Sequence, residues 1–185
     1  MPRIVLFQPE IPPNTGNIGR TCAATNSELH LVEPLGFELT DRTLKRAGLD
    51  YWPWIRLYRH SDWECFLAHR SGRGGRLLAL SRYGSSAYHG FSFRKDDWLL
   101  FGRETSGLPQ HVLAAADQTL HIPMAGSVEA GGGVRSLNLS VAVGVVLFEA
   151  LRQLQSSASL AGLSADADRC SDGPSIPEIQ GEQGH

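Results

Sequence analysis

Leu99-Leu100-Phe101-Gly102-Arg103-Glu104-Thr105-Ser106-Gly107-Leu108-Pro109 is the stretch from which the fold can be read. Three large apolar residues in succession predict a strand covered on both faces. Gly102 and Gly107 bracket a polar turn, and Pro109 stands where a helix over Gln110–Ala116 would open. The same unit recurs on both sides of this stretch. Strands are predicted at Ile4–Phe7, Leu29–Val32, Ile55–Tyr58, Leu77–Leu80 and Thr119–Ile122, with helices at Ile18–Thr25, Asp41–Ala47 and Ser61–His69. Such alternation defines an α/β domain with a mostly parallel sheet and flanking helices.

The longest helix is predicted from about Leu137 to Leu154. Its first half is apolar almost all round: Leu139, Val141, Ala142, Val143, Val145, Val146, Leu147 and Phe148. A helix apolar on more than one face needs more than one covering surface, so it is either central in the core or packed on a second subunit.

Of 185 residues, 42% are hydrophobic and 19% charged, which suits one globular domain over residues 1–155. Residues 156–185 are rich in Ser, Gly, Asp and Pro and read as a disordered acidic tail. That tail holds Arg169 and five carboxylates, so the chain's net charge of −2 conceals a weakly positive body. Any nucleic-acid contact must therefore come from a local patch, for which Arg42, Lys45 and Arg46, followed by Arg56, Arg59 and His60, are the candidates. A solvated helix face accounts for the same charges. Cys22, Cys65 and Cys170 lie far apart and indicate neither a disulfide framework nor a zinc knuckle. The seven histidines show no metal-ligand spacing, so no metal is expected. No segment approaches the ~20 apolar residues of a membrane span, and no signal peptide is apparent, which makes the cytoplasm the default address.

Three loops combine Gly or Pro with polar residues at the carboxyl ends of predicted strands, where ligands bind in open α/β sheets. The first runs from Gln8 to Thr21 and carries Asn14, Asn17 and Arg20 at a helix entrance suited to an anion. Read alone, either asparagine serves equally well as a cap. The second is Gly102–Pro109, where Glu104 is the carboxylate. The third runs from Ile122-Pro123-Met124 through a glycine-rich loop to Arg135-Ser136-Leu137-Asn138-Leu139-Ser140. Neither a P-loop, a GxGxxG after the first strand, nor a GxSxG elbow is present.

Taken together and in order, Asn14-x5-Arg20, Phe101-Gly102-x-Glu104-x-x-Gly107-Leu108-Pro109 and Ile122-Pro123-Met124 with Arg135 to Ser140 resemble the three motifs of the SPOUT superfamily of RNA methyltransferases. Glu10-Ile11-Pro12-Pro13-Asn14-Thr15-Gly16-Asn17-Ile18 and Arg46-Ala47-Gly48-Leu49-Asp50-Tyr51 are similar to the branch known as TrmL or YibK. The resemblance implies methylation, from S-adenosylmethionine, of the ribose 2′-hydroxyl at the wobble nucleotide of tRNA. The acceptor would be cytidine or 5-carboxymethylaminomethyluridine at position 34, in leucine tRNAs. It further implies a deep trefoil knot in the C-terminal part and a homodimer whose site borrows from both subunits.

Transferred to this sequence, the resemblance has Leu80, Gly102, Ile122 and Ser136 binding the cofactor, with Leu108 and Met124 as further walls. Arg20 becomes the principal catalytic residue, supported by Asn14, Glu104, Ser136 and Asn138. Arg20, Arg42, Lys45 and Arg46 would bind RNA. A guanidinium, with a pKa above ~12, is a poor base, so Arg20 is expected to hold a phosphate and orient the 2′-oxygen. The chain departs from the pattern in its long loop between Met124 and Arg135, and in Phe148, where relatives often carry tyrosine. Other targets share these motifs, namely another tRNA position or rRNA. So does a non-catalytic RNA-binding module on the same fold.

Overall fold

The computed structural model describes residues 1–38, 54–126 and 133–167. Seven strands, β1 (Arg3–Phe7), β2 (Glu28–Val32), β3 (Arg56–His60), β4 (Leu77–Leu80), β5 (Ser86–Ala87), β6 (Trp98–Phe101) and β7 (Gln118–His121), form one sheet in the order β3-β2-β1-β6-β4-β7-β5. Every pairing is parallel. Four α-helices are described: α1 (Pro12–Thr25), α2 (Trp63–Ser71), α3 (Gln110–Ala114) and α4 (Leu139–Ala167). Residues 1–154 form one compact unit, and Gln155–His185 are assigned to another. No described helix is long and apolar enough to cross a membrane.

Alternation along each strand sorts the core into two layers. Ile4 and Leu6 of β1, with Leu29, Leu31, Leu78, Leu99 and Phe101, pack with Ile18 and Cys22 of α1 and Val143, Val146, Leu147 and Ala150 of α4. Val5, Phe7, Leu77, Ala79, Trp98 and Leu100 face the opposite way, toward Trp63 and Phe66 of α2 and Val112 of α3. Coverage on both faces is why these strands read as unbroken apolar runs. The valine-rich start of α4 shows which effect wins. Burying a valine or leucine contributes about 2 kcal/mol, against a helix-propensity cost near 0.5 kcal/mol per valine. Burial of Val143, Val146 and Leu147 therefore outweighs local β preference.

Several boundaries differ from the sequence reading for identifiable reasons. Helix α1 begins at Pro12 rather than Ile18, because Pro12 and Pro13 occupy its first positions, where a missing N–H costs nothing. Asp62 caps α2 by accepting from the Cys65 backbone N–H at 2.7 Å, so that helix starts at Trp63. Strand β5 was not foreseen: two small residues carry no strand signal and are held only by pairing with β7. Helix α4 extends past Leu154 to Ala167, into residues read as the start of the tail, where Ala158, Leu160, Ala161, Leu163 and Ala165 favour helix. The predicted helix Asp41–Ala47 and most of the tail lie outside the described residues.

A buried polar cluster sits under α2. Arg73 donates twice to Glu28, at 2.8 and 2.9 Å. His30 lies between Glu28 (3.3 Å) and His60 (3.0 Å) and stacks on Tyr58 with centroids 4.5 Å apart. Burial pushes the His30 imidazole down to about 3, against the pull of Glu28. Burial also works to raise Glu28, but its bonds from Arg73 and His30 prevail and hold it at about 2.

These shifts set a pH dependence. Below an ordinary imidazole pKa near 6.5, the unfolded chain binds a proton at His30 that the folded chain refuses, so stability is lost as pH falls. Lowering pH from about 7.5 to about 5 is expected to remove about 2 kcal/mol from this group alone. Urea midpoints measured at both values should show that loss in the wild type and a shallower dependence in His30→Gln.

Candidate active site

Helix α1 has an unusual beginning. Its N-cap, Ile11, offers no side-chain acceptor, and Pro12 and Pro13 offer no donors. The Glu104 carboxylate, on the loop after β6, instead holds the chain just ahead of the helix. It accepts from the backbone N–H of Glu10 at 2.8 Å, from that of Ile11 at 3.2 Å and from Asn14 Nδ2 at 3.0 Å. A negative group at this end of the helix also complements its dipole. The anion site expected here is thus filled from within the chain, and neither Asn14 nor Asn17 acts as the cap.

The Glu104 loop is folded tightly. Arg103 and Gly107 exchange backbone hydrogen bonds of 3.1 and 2.9 Å, and Gly107 has φ +70°, a conformation that favours glycine. A Cβ on Gly102 would fall 2.3 Å from the Gly107 carbonyl carbon, so position 102 admits no side chain without moving backbone. Glu10 reciprocates across the gap, accepting from the Thr105 backbone N–H at 3.0 Å and from its hydroxyl at 2.8 Å. These bonds, with the nearby Arg103 charge, hold the Glu10 carboxyl below the usual range. Arg103 also donates to the Gln8 side chain.

A chain of amides carries the connection to α4. Asn14 is buried, and its Oδ1 accepts from Asn138 Nδ2 at 3.0 Å. Asn138 Oδ1 in turn accepts from the Ser140 backbone N–H at 2.9 Å and its hydroxyl at 2.7 Å, the geometry of an N-cap on α4. Glu104, Asn14, Asn138 and Ser140 therefore link three segments far apart in sequence.

These segments surround a cavity of about 460 Å³ at the carboxyl ends of β4, β6 and β7. One part of its wall is apolar, from Leu80, Leu108, Leu120, Ile122, Met124 and Ala142. Another is polar, from Asn14, Glu104, Ser136 and Asn138, with Arg103 and Arg135 also present. Among the described residues, no group of three or more His, Cys, Asp or Glu is arranged to hold a metal ion.

The structure brings together Asn14, Leu80, Gly102, Glu104, Leu108, Ile122, Met124, Ser136 and Asn138 around this cavity. Arg20 is not part of its wall; it stands on the exposed side of α1. Arg42, Lys45 and Arg46 lie outside the described residues. Sequence reasoning missed the return contact of Glu10 on Thr105 and the brace between Gln8 and Arg103. Glu10 stood in the first loop, but nothing local announces a partner ninety-odd positions away. It also missed Ser81, Arg82 and Tyr83, which border the cavity after β4.

A parallel α/β sheet, a tight glycine turn after one central strand and a capped helix thus frame the cavity, and residues 1–148 match the SpoU rRNA Methylase family. The chain belongs to that family. Within it, the tRNA (cytidine(34)-2′-O)-methyltransferase of Saccharophagus degradans is 49% identical over 153 residues, covering 82% of this chain and 94% of the relative. A solved structure described as giving insights into 2-OH methylation of C/U34 on tRNA is 51% identical. It superposes with a TM-score of 0.76 over 84% of this chain and 97% of that one. The SpoU methyltransferase AviRb of Streptomyces viridochromogenes, solved with AdoMet, is 26% identical, with a TM-score of 0.73 over 84% of this chain and 58% of its own.

Removal of the Glu104 carboxylate should show how much the site depends on it. Glu104→Ala leaves two backbone donors and one amide without their acceptor, and is expected to cost about 2 kcal/mol in urea unfolding. Glu104→Gln retains one accepting oxygen and should lose roughly half as much.

Proposed function

We propose that this chain transfers a methyl group from S-adenosylmethionine to the ribose 2′-hydroxyl at position 34 of tRNA. Leucine tRNAs with cytidine or 5-carboxymethylaminomethyluridine there are the expected acceptors. The observation that carries the reading is the convergence on one cavity of the loops after β4, β6 and β7 and the entrance of α4. Relatives of about half-identical sequence, described as acting on this tRNA position, supply the target. The deep trefoil knot of the wider superfamily belongs to the proposal and is assigned to the C-terminal part. Residues 1–155 are taken as the catalytic domain, with 156–185 as an acidic extension, and the cytoplasm is assigned as the compartment of the activity.

The cavity fits such a donor in size and chemistry. About 460 Å³ falls in the usual range for small-molecule sites. Leu80, Leu108, Ile122 and Met124 suit a flat aromatic base, while Ser136 and the backbone around Gly102 suit polar groups. When bound, S-adenosylmethionine supplies a methyl group already activated on a sulfonium. What remains for the protein is to align the acceptor oxygen and to handle its proton.

The amide chain from Glu104 through Asn14 to Asn138 fixes the polar wall against which the ribose would lie. Arg20, exposed on α1 and outside its own cavity, is assigned to the cavity of a second copy. There it would hold the phosphate beside the target ribose and polarise the 2′-oxygen. The second copy is argued from α4. Val141 and Phe148 are 50% and 58% exposed. Together with half-buried Val145 and Gly144, they form an outward apolar stripe at helical spacing. A homodimer through that stripe completes the site.

Incubation with labelled S-adenosylmethionine and unmodified tRNA transcripts, followed by location of the label, tests the activity. Label on the ribose at position 34 is expected; label elsewhere moves the target, and none on any RNA ends the proposal. Arg20→Ala should keep its fold by circular dichroism and lose activity by a factor of about a hundred or more. Phe148→Glu should give monomers or insoluble protein. A wild type that is monomeric by light scattering overturns the assembly.

A further inference from the structure

At the rim of the cavity, the turn after β4 presents Tyr83 with 78% of its surface exposed, the most exposed large hydrophobic side chain among the described residues. An exposed aromatic on a floppy loop would mean little, but this turn is clamped. The Ser81 backbone N–H donates to Leu120 O at 2.9 Å, and the Gly84 N–H closes the turn on Ser81 O at 2.9 Å. The Ser81 hydroxyl accepts from the Tyr83 N–H at 3.3 Å. His121 Nδ1 meets Gly84 O at 2.9 Å, and Ser85 is held by Thr119 through both its N–H and its hydroxyl, each at 3.1 Å. Gly84 lies so close to β7 that a Cβ there would approach the Leu120 carbonyl carbon to 2.2 Å. The backbone that carries the ring is thus fixed on the sheet itself.

Its neighbour supplies charge. The Arg82 guanidinium lies 4.4 Å from the Tyr83 ring centroid, and Arg82 forms no ion pair with a described carboxylate. One face of the ring carries a cation while the ring as a whole remains open to solvent, and both residues border the cavity. An exposed aromatic plane on an ordered turn, beside a guanidinium with no carboxylate partner among the described residues, is suited to a nucleobase and the phosphate attached to it. Because the turn is already ordered, stacking there carries little ordering cost.

We infer that Tyr83, backed by Arg82, is the stacking platform for the base of the nucleotide whose ribose is methylated. The inference rests on the RNA methyltransferase reading and adds to it a residue that positions the acceptor. The ring reads base planarity rather than base identity, so it admits either pyrimidine.

Fluorescence anisotropy with a labelled anticodon stem-loop, in the full-length protein, tests this in wild type, Tyr83→Ala and Tyr83→Trp. Tyr83→Ala is expected to weaken RNA binding on the order of tenfold, and Tyr83→Trp to restore it. With tRNA as substrate, KM should rise by a similar factor while kcat stays within about twofold. Calorimetric S-adenosylmethionine affinity should be unchanged. A stem-loop abasic at position 34 should bind wild type and Tyr83→Ala equally, which places the contact on that base. Unchanged RNA affinity in Tyr83→Ala overturns the inference, as does an undiminished effect on the abasic RNA or a loss of cofactor affinity instead. In each of those cases the wild type still methylates tRNA, whereas failure of the underlying reading would show as a wild type that methylates no RNA.

Discussion

The Glu104 carboxylate, on the loop after the neighbouring strand β6, holds the chain at the entrance of α1. Ile11 offers no side-chain cap, Pro12 and Pro13 carry no N–H, and the Asn14 and Thr15 N–H groups both return to the Ile11 carbonyl, so the entrance of α1 is anchored through the residues just ahead of it. The Glu10 and Ile11 N–H groups and Asn14 Nδ2 converge there on one carboxylate. Because Glu104 sits only two residues past Gly102, that requirement also dictates how the loop after β6 must fold. Gly107 in a left-handed conformation and the near-contact between Gly102 and Gly107 follow from turning the chain within so few residues. The crossed pair, Glu104 on the α1 entrance and Glu10 on Thr105, then locks the loops after β1 and β6 to one another.

Sheet order explains why this clasp lies beside a cavity. Strands β1, β6, β4 and β7 are consecutive neighbours in the sheet although separated in sequence, so their following loops emerge side by side at one edge. Parallel pairing sends all four carboxyl ends to that edge. The two apolar layers hold the strands firmly, and the polar residues brace one another through the Glu104–Asn14–Asn138 chain. Alignment of two reactants gains most from such rigidity, since a small misplacement of the reacting atoms has a large effect on rate.

The α/β architecture was legible because strands covered on both faces leave contiguous apolar runs, as in Leu99–Phe101 and Ile4–Phe7. Elements with weak local signals were not. The Pro12-Pro13 start of α1 reads as a loop until its N-terminal position is known, and Ser86-Ala87 becomes a strand only through its neighbour β7. The cavity residues Leu80, Gly102, Ile122 and Ser136 were named through resemblance to a family. Their periodicity shows only that each follows or precedes a regular element. Glu104 stands out as the carboxylate of its loop, yet its hold on the entrance of α1 depends on a contact with Glu10 and Ile11 that no local pattern encodes. Tyr83 went unremarked for the same reason: an aromatic after a strand is ordinary until its exposure and its place on the rim are known.

Helix α4 joins these features. Its N-cap, Asn138, is the last member of the amide chain that begins at Glu104. Its inward face, Val143, Val146, Leu147 and Ala150, is anchored in the core, while Val141 and Phe148 face out within the same turns. A helix of this kind moves as one body, because sliding it would break the Asn138 cap and the core contacts together. Surface laid on its outer stripe would therefore steady the Asn14–Asn138 contact from outside. A site assembled from two copies, with Arg20 of one serving the cavity of the other, would then be complete only where α4 is covered. Assembly and alignment of the acceptor would depend on the same helix.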